Sequence, residues 1–524
     1  MNILDWIILV LYVFVIISIG FYLNKKQYDQ DDYYLGGKRI PAFQIALSMV
    51  ATQVSAISLI GAPAFIAVRQ NGGLFWLQYE FAIPIAMIFI MVTMVPIYHR
   101  FKVVSIYEYL ENRFGSNIRY ILSLIFMISR SLASGVALLA TSIVTSVVLN
   151  IPLAVTVLII GAISVSYTTL GGIKADIYSD IIQLFILWFG AILCIFILFG
   201  LIKDAPFFVT ERYRIFRMQG TGLGDGDIFG FWPMLFGGFF LYLSYYGCDQ
   251  SETQRLLTAK NAKEAQKALL INGILRFPLV ITYCFIGILM IPFLNMHPDF
   301  MNIIREKPPD FLIPTFLLHY MPHGILGLTI AGIFAASMSS LDSTLNSLSA
   351  VTWRDFLQRL SIFQDISSRK ELWFSKLLTF IWGVLCTLFA LYMIGGPETV
   401  LVLVNKIGSA FYGPILAMFW LGIFTKKANE IGAITGLLFG VGINIFLWHF
   451  YGDKVSWLWW NLIGFGGSFF IGYIISLFNS SATLRQNHIS ILILYKPPVI
   501  YIIPLIIAFL SIFVVCNIIQ MLLL

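Results

Sequence analysis

The chain has 524 residues, of which 59% are hydrophobic and 11% charged, about half the charged share of a soluble protein. Its net charge of +7 is spread over many short segments, and its five cysteines (Cys194, Cys248, Cys284, Cys386, Cys516) show no metal or redox spacing. A disulfide scaffold, a zinc module and a nucleic-acid binder are excluded, and a membrane protein remains.

Taken in order, apolar stretches long enough to cross a bilayer fall near 3–23, 43–66, 74–98, 118–148, 152–170, 177–201, 229–250, 270–294, 323–350, 372–394, 398–424, 428–450, 455–478 and 500–522. The pattern predicts an all-α polytopic membrane protein of about fourteen transmembrane helices, in one domain over residues 1–524. The first stretch lacks the basic flank and small-residue cleavage site of a signal peptide, so it reads as a retained helix. With the N-terminus outside, alternation puts 21 of the 33 Lys and Arg on inside loops and 8 on outside loops. That bias places both termini outside. The positive loops then face anionic lipid, with no nucleic acid involved.

Polar residues interrupt several spans. The second carries Ser48, Thr52, Gln53, Ser55 and Ser58, then Gly61 and Pro63. It either unwinds and offers backbone carbonyls to a cation, or packs closely through small residues. Arg130, between Ser129 and Ser131, snorkels, pairs internally or meets an anionic substrate. At the start of the sixth span Asp176 fits a helix-start acid, while Asp180, one turn deeper, points to function. Asp249 and Glu252, in Asp249-Gln250-Ser251-Glu252-Thr253-Gln254-Arg255, read as a solvated cap paired with Arg255.

In the ninth span Ser339, Asp342, Ser343 and Asn346 fall at i, i+3, i+4 and i+7, one oxygen-rich stripe on one helix face. A carboxylate at membrane depth costs about 2.5 kcal/mol or more without a partner. Oxygen-only side chains are what a hard monovalent cation wants, so the stripe predicts an ion site. Asn405 and Lys406 lie well inside the eleventh span and pose the same choice as Arg130. The six histidines stand singly at span edges or in loops, and no nucleophile–base pair, phosphate loop or metal cluster is found. An enzyme is not expected.

Four pieces together resemble the sodium:solute symporter family of sodium/glucose, proline, sialic acid, iodide, monocarboxylate and vitamin cotransporters, over about residues 5–450. They are Asp32-Tyr33-Tyr34-Leu35-Gly36-Gly37-Lys38-Arg39, Thr168-Thr169-Leu170-Gly171-Gly172-Ile173-Lys174-Ala175 with Asp180, the Asp249–Arg255 stretch, and the serine stripe. The resemblance implies a leucine-transporter-type five-plus-five inverted repeat, here about 41–200 and 228–424. Peripheral helices would be near 3–23, 428–450, 455–478 and 500–522. It implies a principal sodium site at Ala51, Val54, Ala336, Ser339 and Ser340. As in some members, a second would use Asp180, Ser339, Asp342 and Ser343, with Asp342 departing from the serine of the sialic acid branch.

In Gly72-Gly73-Leu74-Phe75-Trp76, Phe75 stands where the family's sugar carriers place an acid, and Gln53 replaces a sugar-contacting Asn. Ser55–Pro63 is similar to the iodide, monocarboxylate and vitamin branch, whose anionic substrates suit Lys406 or Arg130. The expected function is therefore sodium-coupled symport of a small organic anion, bound near Gln53, Phe75, Asn405, Lys406 and Arg130. Its partners would be the solute, sodium ions and the bilayer of a plasma or bacterial inner membrane, and it would work as a monomer. Alternatives are sodium/sugar symport, proton-coupled symport through Asp342 or Asp180, and a membrane sensor or channel on the same scaffold.

Overall fold

Within a bilayer no water satisfies the backbone, so a chain this apolar must close its hydrogen bonds inside helices. The computed structural model describes residues 1–24, 29–53, 56–203, 210–363, 366–396, 399–452, 454–479 and 499–524. Its principal helices are α1 (Ile3–Asn24), α2 (Ala42–Gln53), α3 (Ala56–Ala67), α4 (Leu74–Phe101), α5 (Ser116–Leu149), α6 (Leu153–Leu201), α7 (Gly238–Cys248), α8 (Gln250–Leu257), α9 (Ala262–Met296) and α10 (Ile325–Val351). They continue with α11 (Ser368–Tyr392), α12 (Val400–Phe424), α13 (Glu430–Tyr451), α14 (Trp457–Phe478) and α15 (Val499–Leu523).

Among the described residues ten helices are long and apolar enough to cross a membrane, and the bent pair α2–α3 makes an eleventh. Two shorter apolar helices, Ile3–Ile19 and Leu153–Ser166, account for two more of the expected spans. The remaining one, near 229–250, is built from a π-turn at Pro233–Gly237 running into the short α7. Ser244 and three tyrosines lower its apolar content.

The fifth and sixth expected spans are joined without a loop. Gly172 interrupts α6 with φ +60, and a Cβ there would lie 2.7 Å from the Tyr33 ring. Only glycine accepts both that backbone and that approach.

Helix α10 is the centre of the bundle. Helices α1, α2, α3, α5, α6, α8 and α11 all pack against it. Its start is pinned by Asp5 of α1, whose Oδ1 accepts from the backbone N–H of Gly324 (2.6 Å) and Gly327 (3.0 Å). These are helix-start donors with no partner inside the helix. Beyond its far end Arg119 of α5 donates to Asp355 (Nε, 2.8 Å) and pairs with Glu111 (2.5 Å), which also accepts from Arg359 (2.8 Å). Burial works to raise the Glu111 carboxyl, yet the Arg359 and Arg119 guanidiniums hold it down at about 2. The outer helices α13, α14 and α15 expose Leu438, Phe439, Ile445, Phe470, Ile507 and Leu510, as lipid contact requires.

Candidate functional site

The site begins where the second span breaks. Helices α2 and α3 meet at an angle of 50°. Thr52 Oγ1 donates back to the Ser48 carbonyl at 2.9 Å, a local bond that bends helices at such polar positions. The break leaves the last carbonyls of α2 without helical donors. Ser340 of α10 reaches across to one of them, the Thr52 carbonyl, at 2.9 Å.

Of the principal sodium positions, Ala51 is buried in the last turn of α2 and Ser339 is buried on α10. Ala336 lies on α10 three residues earlier. Val54 falls outside the described residues. Carbonyls from a broken helix and hydroxyls from α10, facing each other, fit the oxygen donor set of a monovalent cation.

The stripe on α10 divides as it meets the second half of α6. Asp180 accepts from Ser339 on one oxygen, and from Ser48 and Arg255 on the other, the last at 3.0 Å. Arg255 also donates to Ser343, to Ser48 (2.7 Å) and to the Ser251 carbonyl (2.7 Å). Asp342 turns elsewhere, toward the first half of α6. Thr168 Oγ1 lies 2.5 Å from its Oδ1, and its Oδ2 has no hydrogen bond among the described residues. Asn346 donates to Asp176 at 3.3 Å.

Three local readings are corrected here. Asp176 is a buried partner of Asn346 rather than a solvated helix-start acid. Asp249 does cap α8, accepting from Ser251 N–H at 2.9 Å, but it is buried and its ion partner is Arg130, Nε to Oδ2 2.5 Å. Glu252 is buried too and accepts from Tyr245 at 3.0 Å. Arg255 pairs with Asp180 instead of either.

Beside the break lies a cavity of about 130 Å³. Gln53, Asn405 and Arg130 line it, three of the five expected substrate contacts. Phe75 does not. It is buried against Phe65 and Phe229 under the Arg217 guanidinium, 3.8 Å from the ring centre, because an aromatic ring is better satisfied in that nest than on a wet wall. Lys406, the neighbour of Asn405, is also not among the lining residues. On a helix, adjacent residues point about a quarter-turn apart.

The cavity has two charged sides. At one, Arg130 lies 4.7 Å from the Tyr245 ring centre and 5.8 Å from that of Tyr412, and its Nη2 is buried with no hydrogen-bond partner among the described residues. At the other, Glu80 is held by Arg276 through two contacts of 2.9 and 3.2 Å, and Arg276 donates to Tyr242 at 2.8 Å. Three further polar atoms of lining residues, Gln53 Oε1, Tyr79 Oη and Tyr283 Oη, are buried with no hydrogen-bond partner among the described residues. The Glu80–Arg276 pair was missed in the sequence, although Arg276 inside an apolar run is a functional signal by itself.

A model of the sodium:solute symporter family matches residues 33–440. The sodium/sialic acid symporter NanT of Aliivibrio fischeri is 28% identical over 90% of this chain and 92% of its own length. The sodium-coupled monocarboxylate transporter 2 of Bos taurus is 30% identical over 84% and 72%. A solved structure of a sodium-coupled sialic acid symporter, substrate-bound and open outward, superimposes with TM-score 0.81 over 92% of this chain and 99% of that one, at 24% identity. The fold is thus that of the leucine-transporter type.

Proposed function

We propose a cargo and a route for a chain that belongs to the sodium:solute symporter family. It is a sodium-coupled solute symporter and not an enzyme. The cargo is a short organic monoanion, its carboxylate taken by Arg130. The observation that carries this reading is Arg130, which lines the central cavity and whose buried Nη2 has no hydrogen-bond partner among the described residues. A buried guanidinium N–H without an acceptor costs about 1–3 kcal/mol, which a bound carboxylate recovers. Each arginine has a carboxylate partner, but Arg276 spends its donors on both Glu80 oxygens and on Tyr242, whereas Arg130 meets Asp249 through Nε.

Size narrows the class. About 130 Å³ is close to the roughly 150 Å³ of an engineered cavity that holds benzene, so about six non-hydrogen atoms fit. That favours a monocarboxylate over a sialic-acid-sized or vitamin-sized solute, which needs a wider state of the cavity.

Sodium occupies the oxygens of Ala51, Val54, Ala336, Ser339 and Ser340. It draws α10 and the broken α2–α3 together and so favours the state that binds solute. Coupling is reciprocal, with each ligand tightening the other. Both termini face outside, as the basic loops require. The test is sodium-driven uptake into proteoliposomes across short carboxylates, sugars, vitamins and halides. Sugar uptake without carboxylate uptake would refute the cargo.

One observation favours a second reading, proton coupling through Asp342. The single hydroxyl hydrogen of Thr168 faces two acceptors, the Ser164 carbonyl at 2.7 Å and Asp342 Oδ1 at 2.5 Å. Both bonds are complete only if Asp342 supplies a hydrogen of its own. Uptake that follows a pH gradient without sodium decides for this reading.

A further inference from the structure

We propose that the segment Thr210–Arg217 is a latch on the outer face, with Arg212 as the residue that positions the outer half of the broken helix. The proposal rests on the reading of sodium symport with both termini outside, and adds a positioning residue to it.

Helix α3 ends at Ala67, and the last carbonyls of a helix lack donors within it. Arg212 supplies a donor from a distant part of the chain. Its Nη1 lies 3.0 Å from the carbonyls of Ile66 and Arg69 and 3.3 Å from that of Gly72. A guanidinium also suits the negative end of a helix. The approach is close, since a Cβ at Gly73 would stand 3.0 Å from the Arg212 carbonyl.

The latch is itself tied down. Gln520, near the end of α15, accepts from the N–H of Ile215 at 2.8 Å and of Phe216 at 2.9 Å. Gln78, near the start of α4, accepts from the N–H of Arg217 at 3.0 Å. One short segment therefore joins the outer ends of α3, α4 and α15.

Under the latch an aromatic layer closes the cavity. Arg217 lies over the Phe75 ring, and Phe75 packs on Phe65 of α3 with ring centres 5.6 Å apart. Trp76, 5.0 Å from Phe65, lines the cavity. Phe65 thus belongs both to the closing layer and to the helix that Arg212 holds. A cavity that opens to each side in turn needs an outer closure that can break. Lifting α3 withdraws Phe65 from the layer, and Arg212 must release its carbonyls for that to happen.

The latch accordingly favours the outwardly shut carrier over the state that takes sodium from outside. Weakening it raises the competent fraction and so tightens sodium binding. Loss of a contact that only held the fold together would loosen binding or leave it unchanged.

The experiment titrates radiolabelled sodium onto purified full-length protein. In Arg212→Gln the half-saturation concentration should fall about tenfold, corresponding to one charge-assisted hydrogen bond. Arg212→Lys should stay close to the wild type, because one nitrogen makes all three contacts. Gln520→Ala frees the latch without touching α3 and should shift half-saturation the same way by a smaller factor; it is read alone if Arg212→Gln does not fold. An unchanged or higher half-saturation in the folded variant overturns the latch while leaving sodium symport intact. No saturable sodium binding in the wild type overturns the symport reading itself.

Discussion

Replacing Arg130 by lysine tests the cargo most directly. Truncation to alanine would leave Asp249 buried without its cation at a cost of about 3–5 kcal/mol, and would confuse folding with binding. Lysine keeps the charge beside Asp249 but lacks the second prong, the Nη2 that no described residue accepts from. A hydrogen bond to a charged group is worth about 1.5–3 kcal/mol. At about 1.4 kcal/mol per factor of ten, KM for a short carboxylate should rise about ten- to a hundredfold. Initial uptake rates at saturating sodium, in protein shown to be folded, supply the value. The matching primary amide is measured in both proteins to close a cycle. The amide should bind the wild type weakly and lose little more in Arg130→Lys. If acid and amide lose affinity by the same factor, Arg130 does not touch the carboxylate and the reasoning fails.

Two further outcomes follow from other parts of the molecule. Ser340→Ala removes a hydroxyl that bridges α10 to the broken helix; sodium half-saturation should rise about tenfold, and unchanged sodium dependence would take Ser340 out of the site. Glu111 has a folded value of about 2 against an ordinary 4.5, so its ion pairs add stability above pH 4.5 that is lost as the pH falls toward 2. Glu111→Gln should flatten thermal stability over that acid range, by a small amount because the group is partly solvated.

Much of the bundle was legible because lipid imposes length and apolarity on every span, and the ends of α10, α12 and α13 lie close to where hydropathy put them, while α9 starts eight residues before its expected span. The serine stripe was legible because a helical period brings Ser339, Asp342 and Ser343 to one face. Charge pairing was not. Arg255 stands three residues from Glu252 and six from Asp249, so local spacing paired it with them. The folded chain gives it Asp180 instead, 75 residues away, since a fully buried guanidinium needs a buried carboxylate. Arg130 with Asp249 and Arg276 with Glu80 are 119 and 196 residues apart, and no period in the sequence announces such partners. Phe75 was read from its place beside Trp76, but its ring is claimed by Phe65, Phe229 and Arg217.

The joint at Gly172 has a mechanical meaning. A span ends and the next begins across one residue, with Tyr33 closed against the turn, so the two rods meet at a corner with no slack. Thr168, which holds Asp342, and Asp180, which holds Arg255, sit on opposite arms of that corner. A rocking motion imposed on one arm is delivered to the other with little loss, like a bell crank. Adding even one residue at the corner would rotate the second arm by about 100° and carry Asp180 out of reach of Ser339, so insertions there should abolish transport while the same insertion in the exposed turn at Gly224–Gly226 should not.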